Sequence, residues 1–513
     1  MKRLNCRQHL AASAFTKAAC AIAFLLLAIS IKAQAKNIYA APGGSDSNAG
    51  TQSQPVATPR KALQLASPGD TIFLRGGRYP MERFLWIDKP NVAISSQSGE
   101  RAVLAGSNTD SQTSPPSIII VVANNVSLIN LDIEGGSYYA LKIDLDNNKT
   151  TNGVVVKGCR IRNSGRDCVK TFNADNLLIE DCEIGPSGLR DPSNAEGIDS
   201  IGSVGVTIRN CFVHDTATTG IYLKGGARDG IVERNRFERC GNSGLLLGQD
   251  TDPEYMRDGA KYEAINCVAR NNIISAVESA GIGTYSGDNI RFENNTVYDA
   301  ARKNQAGFYV VTNGRGVPSQ RITFKNNIVV ILGERPAVFI LNLADRLVCD
   351  SNIYHAPNAS KPFRRETKST GGQYDAWSFV DWKANMNLDS HSILADPMLE
   401  GDLLKPRSGS PAFDNGETLP QVKTDYAGIA RPQGSGYDIG AHEGRASGGA
   451  ASARPKADTT GANSSSETGL TRSAALIGGA GFGALAAVAA MAFTRKRGAK
   501  NRAIQARRTW SER

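Results

Sequence analysis

The sequence predicts an all-β solenoid, a chain wound into stacked coils of short strands. A repeat, a composition and a periodicity carry that expectation. The repeat is a strand-like run ending in a pair of residues followed by an apolar or β-branched one. Its instances are VVVKGCRI (154–161), LLIEDCEI (177–184), VTIRNCFV (206–213), GIVERNRF (230–237), CVARNNII (267–274), IRFENNTV (290–297), ITFKNNIV (322–329) and LVCDSNIY (347–354). Anchored on the first member of each pair (Gly158, Asp181, Asn210, Asn235, Asn271, Asn294, Asn326, Ser351), the spacings are 23, 29, 25, 36, 23, 32 and 25. A period in the twenties with insertions is that of one strand–turn–strand coil per repeat. With 52 Gly and only 7% aromatics, the composition argues against a helical bundle. The runs are rich in β-branched residues, bounded by Gly, and show no sustained helical period.

The second member of each pair reads Cys159, Cys182, Cys211, Arg236, Asn272, Asn295, Asn327 and Asn352. Equivalent positions on stacked coils lie about 4.8 Å apart. The four Asn are therefore expected to form a ladder, each amide bonded to the next and to turn backbone. The three Cys form a second, buried ladder below it, with a structural role and side chains that face the same way. Nine Cys fall to seven once Cys6 and Cys20 leave with a leader. An odd number without a CxxC argues against a disulfide framework or a zinc site.

The net charge of +10 sits at the ends of the chain. Residues 1–35 carry five Lys/Arg and no acid, and residues 494–513 carry eight Lys/Arg and one Glu. The body between them is close to neutral, so nucleic acid is not an expected partner. The basic start, the apolar run Ala18–Ile31 and Ala33-Gln34-Ala35 make residues 1–35 a secretory signal peptide, leaving Lys36 as the mature N-terminus. Ser473–Phe493, with 21 residues, is long enough to cross a bilayer as a helix. Arg495, Lys496 and Arg497 follow it and put the basic tail, 494–513, in the cytoplasm. Residues 445–472, rich in Ser, Gly, Ala and Thr, read as a flexible linker. The expected location is thus export, with the solenoid outside the cytoplasmic membrane and tethered to it by the C-terminal helix.

Three stretches resemble the right-handed parallel β-helix superfamily that includes pectate lyases and related polysaccharide-active enzymes. YAAPGGSDSNAGTQSQPVATPRKALQLASPGDTIFLRGGRY (39–79) resembles its N-terminal cap, a short helix followed by first strands. The coils follow, and SPAFDNGETLPQVKTDYAGIARPQGSGYDIGAHE (410–443) resembles the C-terminal segment of secreted and anchored members. The resemblance implies a cap and first coils over 36–116, coils over 117–360 and a C-terminal segment over 361–444. It speaks to fold more than to reaction, because this fold hosts lyases, hydrolases, epimerases and adhesins.

A second strand in each coil starts after a Gly. Lys170, Asp199 and Lys224 each lie 11 residues before an anchor, at Asp181, Asn210 and Asn235. They are therefore expected as a Lys–Asp–Lys column on three consecutive coils. Val169, Ile198 and Leu223 precede them and point inward, so the column points outward. Asp199 between two ammonium groups stays ionised, and a Lys crowded by another Lys and partly desolvated can serve as a base. Lyases of uronate polymers abstract the proton at C5, next to a carboxylate that must be neutralised. Lys224 as base, Lys170 as carboxylate partner, Asp199 as their anchor and Tyr222 as proton donor meet that need, with Arg166 a further substrate contact. The resemblance implies a Lys or Arg base on such a strand, often with calcium. A surface salt-bridge column without chemistry is the alternative.

The insertion over 249–262 (QDTDPEYMRDGAKY) is placed to wall the groove, and Asp250, Asp252 and Glu254 are its candidate calcium ligands. Glu196 and Asp199, in NAEGIDS (194–200), are the carboxylates a glycoside hydrolase would use, but the GHG and RIK elements of polygalacturonase-type hydrolases are missing. The expected function is a lyase of acidic polysaccharides. A hydrolase on the same fold and a non-catalytic carbohydrate-binding or adhesion solenoid are the rivals.

Overall fold

The structure is a computed structural model that describes residues 35–445, apart from 111, 146–148, 346 and 367–373. The leader to residue 34, the linker beyond Arg445, the apolar run Ser473–Phe493 and the basic tail lie outside the described residues. Among the described residues, no helix is long and apolar enough to cross a membrane.

Successive coils build three long sheets. The first runs from Asn37–Ala40 to Leu347–Asp350, the second from Gly77–Pro80 to Ile393–Leu394, the third from Leu85–Ile87 to Phe363–Glu366. Each strand pairs in parallel with its counterparts on neighbouring coils, and Tyr374–Trp377 closes the third sheet in antiparallel fashion. This is a parallel β-helix. Its interior is a column of Ile, Val and Leu that turns aromatic toward the C-terminal end, where Phe308 stacks on Phe324 at 3.9 Å. Helix α1 (Pro59–Leu65) starts at Thr58, whose hydroxyl accepts the Lys61 N–H, and packs on the first strands. Helix α2 (Phe379–Met386) covers the other end. Its buried Trp382 stacks on Phe363 at 5.3 Å and donates its indole N–H to Asp389 at 2.8 Å. An end cap of this kind keeps a solenoid core from opening to water.

The corner between the first and second sheets explains the repeated residue pair. Its first position is left-handed in nine successive coils: Asn130, Gly158, Asp181, Asn210, Arg234, Asn271, Asn294, Asn326 and Ser351 have φ of 53–65°. Gly, Asn and Asp tolerate that region best. The next residue points inward. From Asn235 onward each Asn side chain bridges coils. The Oδ1 of Asn272, Asn295, Asn327 and Asn352 accepts both the backbone N–H and the side-chain amide of the Asn one coil earlier, at 2.8–3.2 Å. Each amide also donates to a strand carbonyl, as Asn295 does to Ala269 at 2.9 Å.

Two sequence expectations are corrected here. Arg236 is not a ladder member; Asn235 is, and Arg234 takes the left-handed corner, because Arg209 pairs with Glu233. Arginine is an unusual residue for that conformation, so anchoring on the next Asn slips the repeat by one. The Cys and Asn positions also form one column rather than two. Cys159, Cys182 and Cys211 precede Asn235 in it, and the Cys211 N–H donates to Asn235 Oδ1 at 2.9 Å. All seven described Cys are buried and unpaired.

The corner Asn side chains also grip the C-terminal segment. Asn271, Asn294 and Asn326 donate to the carbonyls of Thr424, Asp438 and Glu417 at 2.8–3.0 Å. In the ladder itself, Asn295→Ala or Asn327→Ala strands buried backbone groups and is expected to cost ~1–3 kcal/mol. Urea melts of both variants that match wild type would contradict the ladder's role.

Candidate functional site

Third-sheet strands Tyr139–Ile143, Val169–Phe172, Ile198–Ile201, Ile221–Lys224 and Leu245–Leu247 form an outer face near the middle of the helix. Val169, Ile198 and Ile221 stack inward in register. Lys170 sits opposite Asp199, and Lys142 sits opposite Lys170 one coil earlier. Opposite Asp199 on the next coil, however, is Tyr222; Lys224 is opposite Ile201. The expected Lys–Asp–Lys column is therefore out by two residues at its last member. One residue is the Asn235 slip. The other is an extra residue in the Gly225–Gly226 corner, where both glycines have positive φ (69° and 84°). The lysine side chain bridges the offset: its Nζ lies 3.4 Å from Asp199 Oδ2 and 4.7 Å from the centre of the Tyr222 ring.

The cluster has a floor that the sequence reading missed. Asp167 precedes Glu196 by 29 residues, the same offset that pairs Lys170 with Asp199, so the two acids occupy equivalent places on consecutive coils. The carboxylate oxygens of Asp167, Glu196 and Asp199 converge within 4.8 Å of one another. Exposure separates two layers. Asp167, Glu196 and Asp199 are 1%, 3% and 1% exposed, whereas the Lys170 and Lys224 side chains retain 16% and 12%. Lys170 bonds to Asp199 and lies 3.5 Å from Asp167.

The electrostatics follow from this layering. Burial pushes the Asp199 carboxyl up, but Lys170 and Lys224 outweigh it and hold Asp199 below the usual carboxylate range. Burial alone would lower Lys170, yet Asp199 and Asp167 hold its ammonium well above the usual range. Lys170 is thus a fixed cation, not a lysine primed to lose its proton. Glu196 is pushed well up, first by burial and then by its acidic neighbours, and Asp167 is raised chiefly by burial. Glu196 Oε2 and Asp199 Oδ1 have no hydrogen-bond partner. Burial also raises the phenols of Tyr222 and of Tyr139, the latter to about 12. The Tyr222 hydroxyl accepts from Thr219 Oγ1 at 2.9 Å.

Arg166 flanks the cluster, within electrostatic range of Asp167 and Tyr139. Its guanidinium pairs with Asp191 at 2.7 Å and lies over the Tyr138 ring at 5.5 Å. The 249–262 insertion lies beside the cluster. Arg257 binds the Asp175 carboxylate and the Gly202 carbonyl, while Tyr255 meets the Phe172 ring edge-on at 5.8 Å. Its acids do not form the expected ligand set: Asp250 is tied to the Gly314 N–H, and Asp252 leads into the turn Pro253–Tyr255. Among the described residues, the convergent carboxylates are Asp167, Glu196 and Asp199. Behind the insertion, fully buried Glu263 accepts from the Gly225 and Thr251 N–H groups, Asn313 and Arg315, fixing the corner that follows Lys224.

A family model described as a right-handed β-helix region matches residues 143–329, and one described as a Pel9A-like right-handed β-helix region matches residues 38–184. Neither match spans half of the chain; with the parallel sheets they show the fold, a right-handed β-helix. Pectate lyase Pel9A is similar in structure over 80% of this β-helix chain and 96% of its own, at 15% identity and a TM-score of 0.50. A rhamnogalacturonan lyase is similar over 77% of this chain and 99% of its own, at 14% identity and a TM-score of 0.45. A glycoside hydrolase is similar over 65% and 95%, at 11% identity and a TM-score of 0.45. These are likenesses of fold. No curated protein matches this β-helix chain by sequence.

Proposed function

We propose that this β-helix protein is an exported, membrane-tethered enzyme that cleaves an acidic polysaccharide by β-elimination. The observation that carries the reading is the layering of the site: two lysines at the outer face over carboxylates that are almost fully buried. An anionic sugar approaching the face meets ammonium groups first. Lys170, held protonated by Asp199 and Asp167, neutralises the uronate carboxylate and so acidifies the neighbouring C5–H. Lys224, at the strand end beside Gly225 and Gly226, takes the C5 proton in its neutral form. The electron pair forms the C4–C5 double bond, and the C4–O bond breaks, the leaving oxygen taking a proton from solvent water. Tyr222 lies against Lys224 and is buried, so we assign it to positioning Lys224 rather than to proton donation.

The hydrolase reading has one observation in its favour. Glu196 is driven toward its neutral form and Asp199 toward its ionised form, the division of labour of an acid and a nucleophile. Their burial beneath the lysines weighs against it, because a glycosidic oxygen has to reach them. For calcium, the residues fit as hard-oxygen ligands. Asp167, Glu196 and Asp199 would hold the ion, and two of their buried oxygens lack any partner. When bound, calcium would supply further positive charge for the substrate carboxylate.

Lys224→Ala is expected to lower turnover ~10²–10⁴-fold while leaving substrate binding largely intact. Lys170→Ala should weaken binding as well. The assay is ultraviolet absorbance of unsaturated uronate ends on a panel of anionic glycans. Reducing ends without absorbance favour the hydrolase, and binding without either favours an adhesion solenoid. Calcium is expected to raise the melting temperature of wild type and not that of Glu196→Gln; equal increments in both would remove Glu196 from the ligand set. For the tether, truncation after Arg445 should move the protein from the membrane to the soluble fraction. Retention in the membrane would refute anchoring by the C-terminal run.

A further inference from the structure

The outward column of the third sheet continues past the lysine centre. From Asp199 it passes through Tyr222, Leu246, Gly283, Tyr309, Phe339 and Arg364, one residue per coil. The Tyr285 ring meets Tyr309 at 5.8 Å, Tyr309 meets Phe339 at 5.8 Å, and Phe339 meets Tyr374 at 5.4 Å, each edge to face. These are not core rings. Phe308 and Val338, their strand neighbours, fill the interior, while Tyr309 and Phe339 are half-buried on the outer face and Tyr374 is 47% exposed. Gly283 leaves them room: a Cβ there would lie 3.3 Å from the Tyr309 Cβ and 2.2 Å from its carbonyl oxygen. A contiguous aromatic strip on an outer sheet face is unusual for a surface with no binding role.

We propose that Tyr309, Phe339 and Tyr374 form a stacking platform for the pyranose rings of the same acidic polysaccharide, beyond Lys170 and Lys224 toward the C-terminal end. The proposal rests on the polysaccharide reading above. Three features select a glycan as occupant. Coils repeat about every 4.8 Å, close to the length of one sugar in an extended chain, so the chain advances one ring per coil. A pyranose offers an apolar C–H face to an aromatic ring and its hydroxyls to water, the pairing that partly exposed Tyr and Phe suit. Cations bound the strip at both ends, Lys170 and Lys224 on one side and Arg364, 5.0 Å from the Tyr374 ring centre, on the other.

The geometry sets a length threshold. Tyr309 lies four coil steps from Asp199, about 19 Å, and Arg364 six steps, about 29 Å. A trimer seated on the lysines does not reach Phe339, whereas a polymer does. The test uses the full chain and affinity electrophoresis in polygalacturonate and in alginate, with the trimers as competitors. Wild type should bind polymer more tightly than trimer. Tyr309→Leu combined with Phe339→Leu, which keeps apolar bulk without a ring face, should reduce polymer affinity roughly tenfold and erase its advantage over the trimer. Phe339→Tyr should retain the advantage, and melting temperatures exclude misfolding. If the double Leu variant keeps the full polymer advantage while Lys170→Ala loses binding, the platform is refuted and the polysaccharide reading stands. If wild type binds neither polymer, both fail. If the Leu variants change oligomeric state rather than glycan affinity, the strip is a contact between copies of this chain and the proposal is refuted.

Discussion

A coil of this helix can add to the stack only if its backbone turns the first-to-second-sheet corner where the previous coil turned. The turn needs one left-handed residue, and the residue after it points a side chain into the interior, where every polar group must find a partner. The Asn–Asn pairs meet both demands, the first Asn taking the left-handed corner and the second turning its amide inward. Each amide takes the next coil's oxygen and a strand carbonyl, so satisfying one coil fixes the register of its neighbour. The column also needs an end. It finds one at Asp389, whose Oδ1 accepts from Ser392 and from the Tyr354 hydroxyl, and whose Oδ2 accepts the Trp382 indole. The ladder, the aromatic end of the core and helix α2 are in this sense one construction.

The site depends on the same register. Stacking coils at a fixed rise brings Asp167 against Glu196 and Lys170 against Asp199, because both pairs are separated by 29 residues. Three carboxylates packed this closely and out of water repel one another strongly, and isolated they would be driven to take up protons. Lys170 and Lys224 resolve most of that repulsion for Asp199, leaving Glu196 as the group that holds a proton or shares a cation. The lysines are in turn fixed by what they neutralise. Glu263 and Arg257 secure the surroundings, one holding the corner after Lys224 and the other pinning the insertion across two coils.

Much of the fold was legible because the corner repeats a rare backbone conformation, and rare conformations leave a compositional trace. The trace fails where the composition does not follow the conformation. Arg234 adopts the left-handed corner as a charged, long side chain, so the Asn beside it draws the repeat one residue out of line. Lys170 opposite Asp199 was readable, since no irregularity separates those coils. Lys224 opposite Ile201 was not, because the Gly225–Gly226 corner adds a residue that only backbone geometry reveals. Asp167 was within reach, the 29-residue offset being present in the sequence. Depth was not. Alternation along a strand says which side chains leave the core, but not that a carboxylate on the outer face will be covered by its cationic neighbours.

That difference in depth bears on chemistry. A carboxylate at the surface of a β-helix repels a uronate polymer and is free to act on a glycosidic oxygen. The same carboxylate beneath lysines does neither: its charge holds ammonium groups in place, and they are what an approaching anion meets. Reach sets the order. Lysine has four methylenes beyond its backbone and aspartate one, so on a flat sheet face with strands about 4.8 Å apart the cations naturally close over the acids. The arrangement then keeps one ammonium charged regardless of modest changes in pH, which suits neutralisation of a carboxylate, and it leaves the second lysine at the strand end, 3.4 Å from the shared anion. Two lysines serving one buried acid are therefore not redundant. Their unequal distances from Asp199 and Asp167 are the physical basis for giving them different tasks.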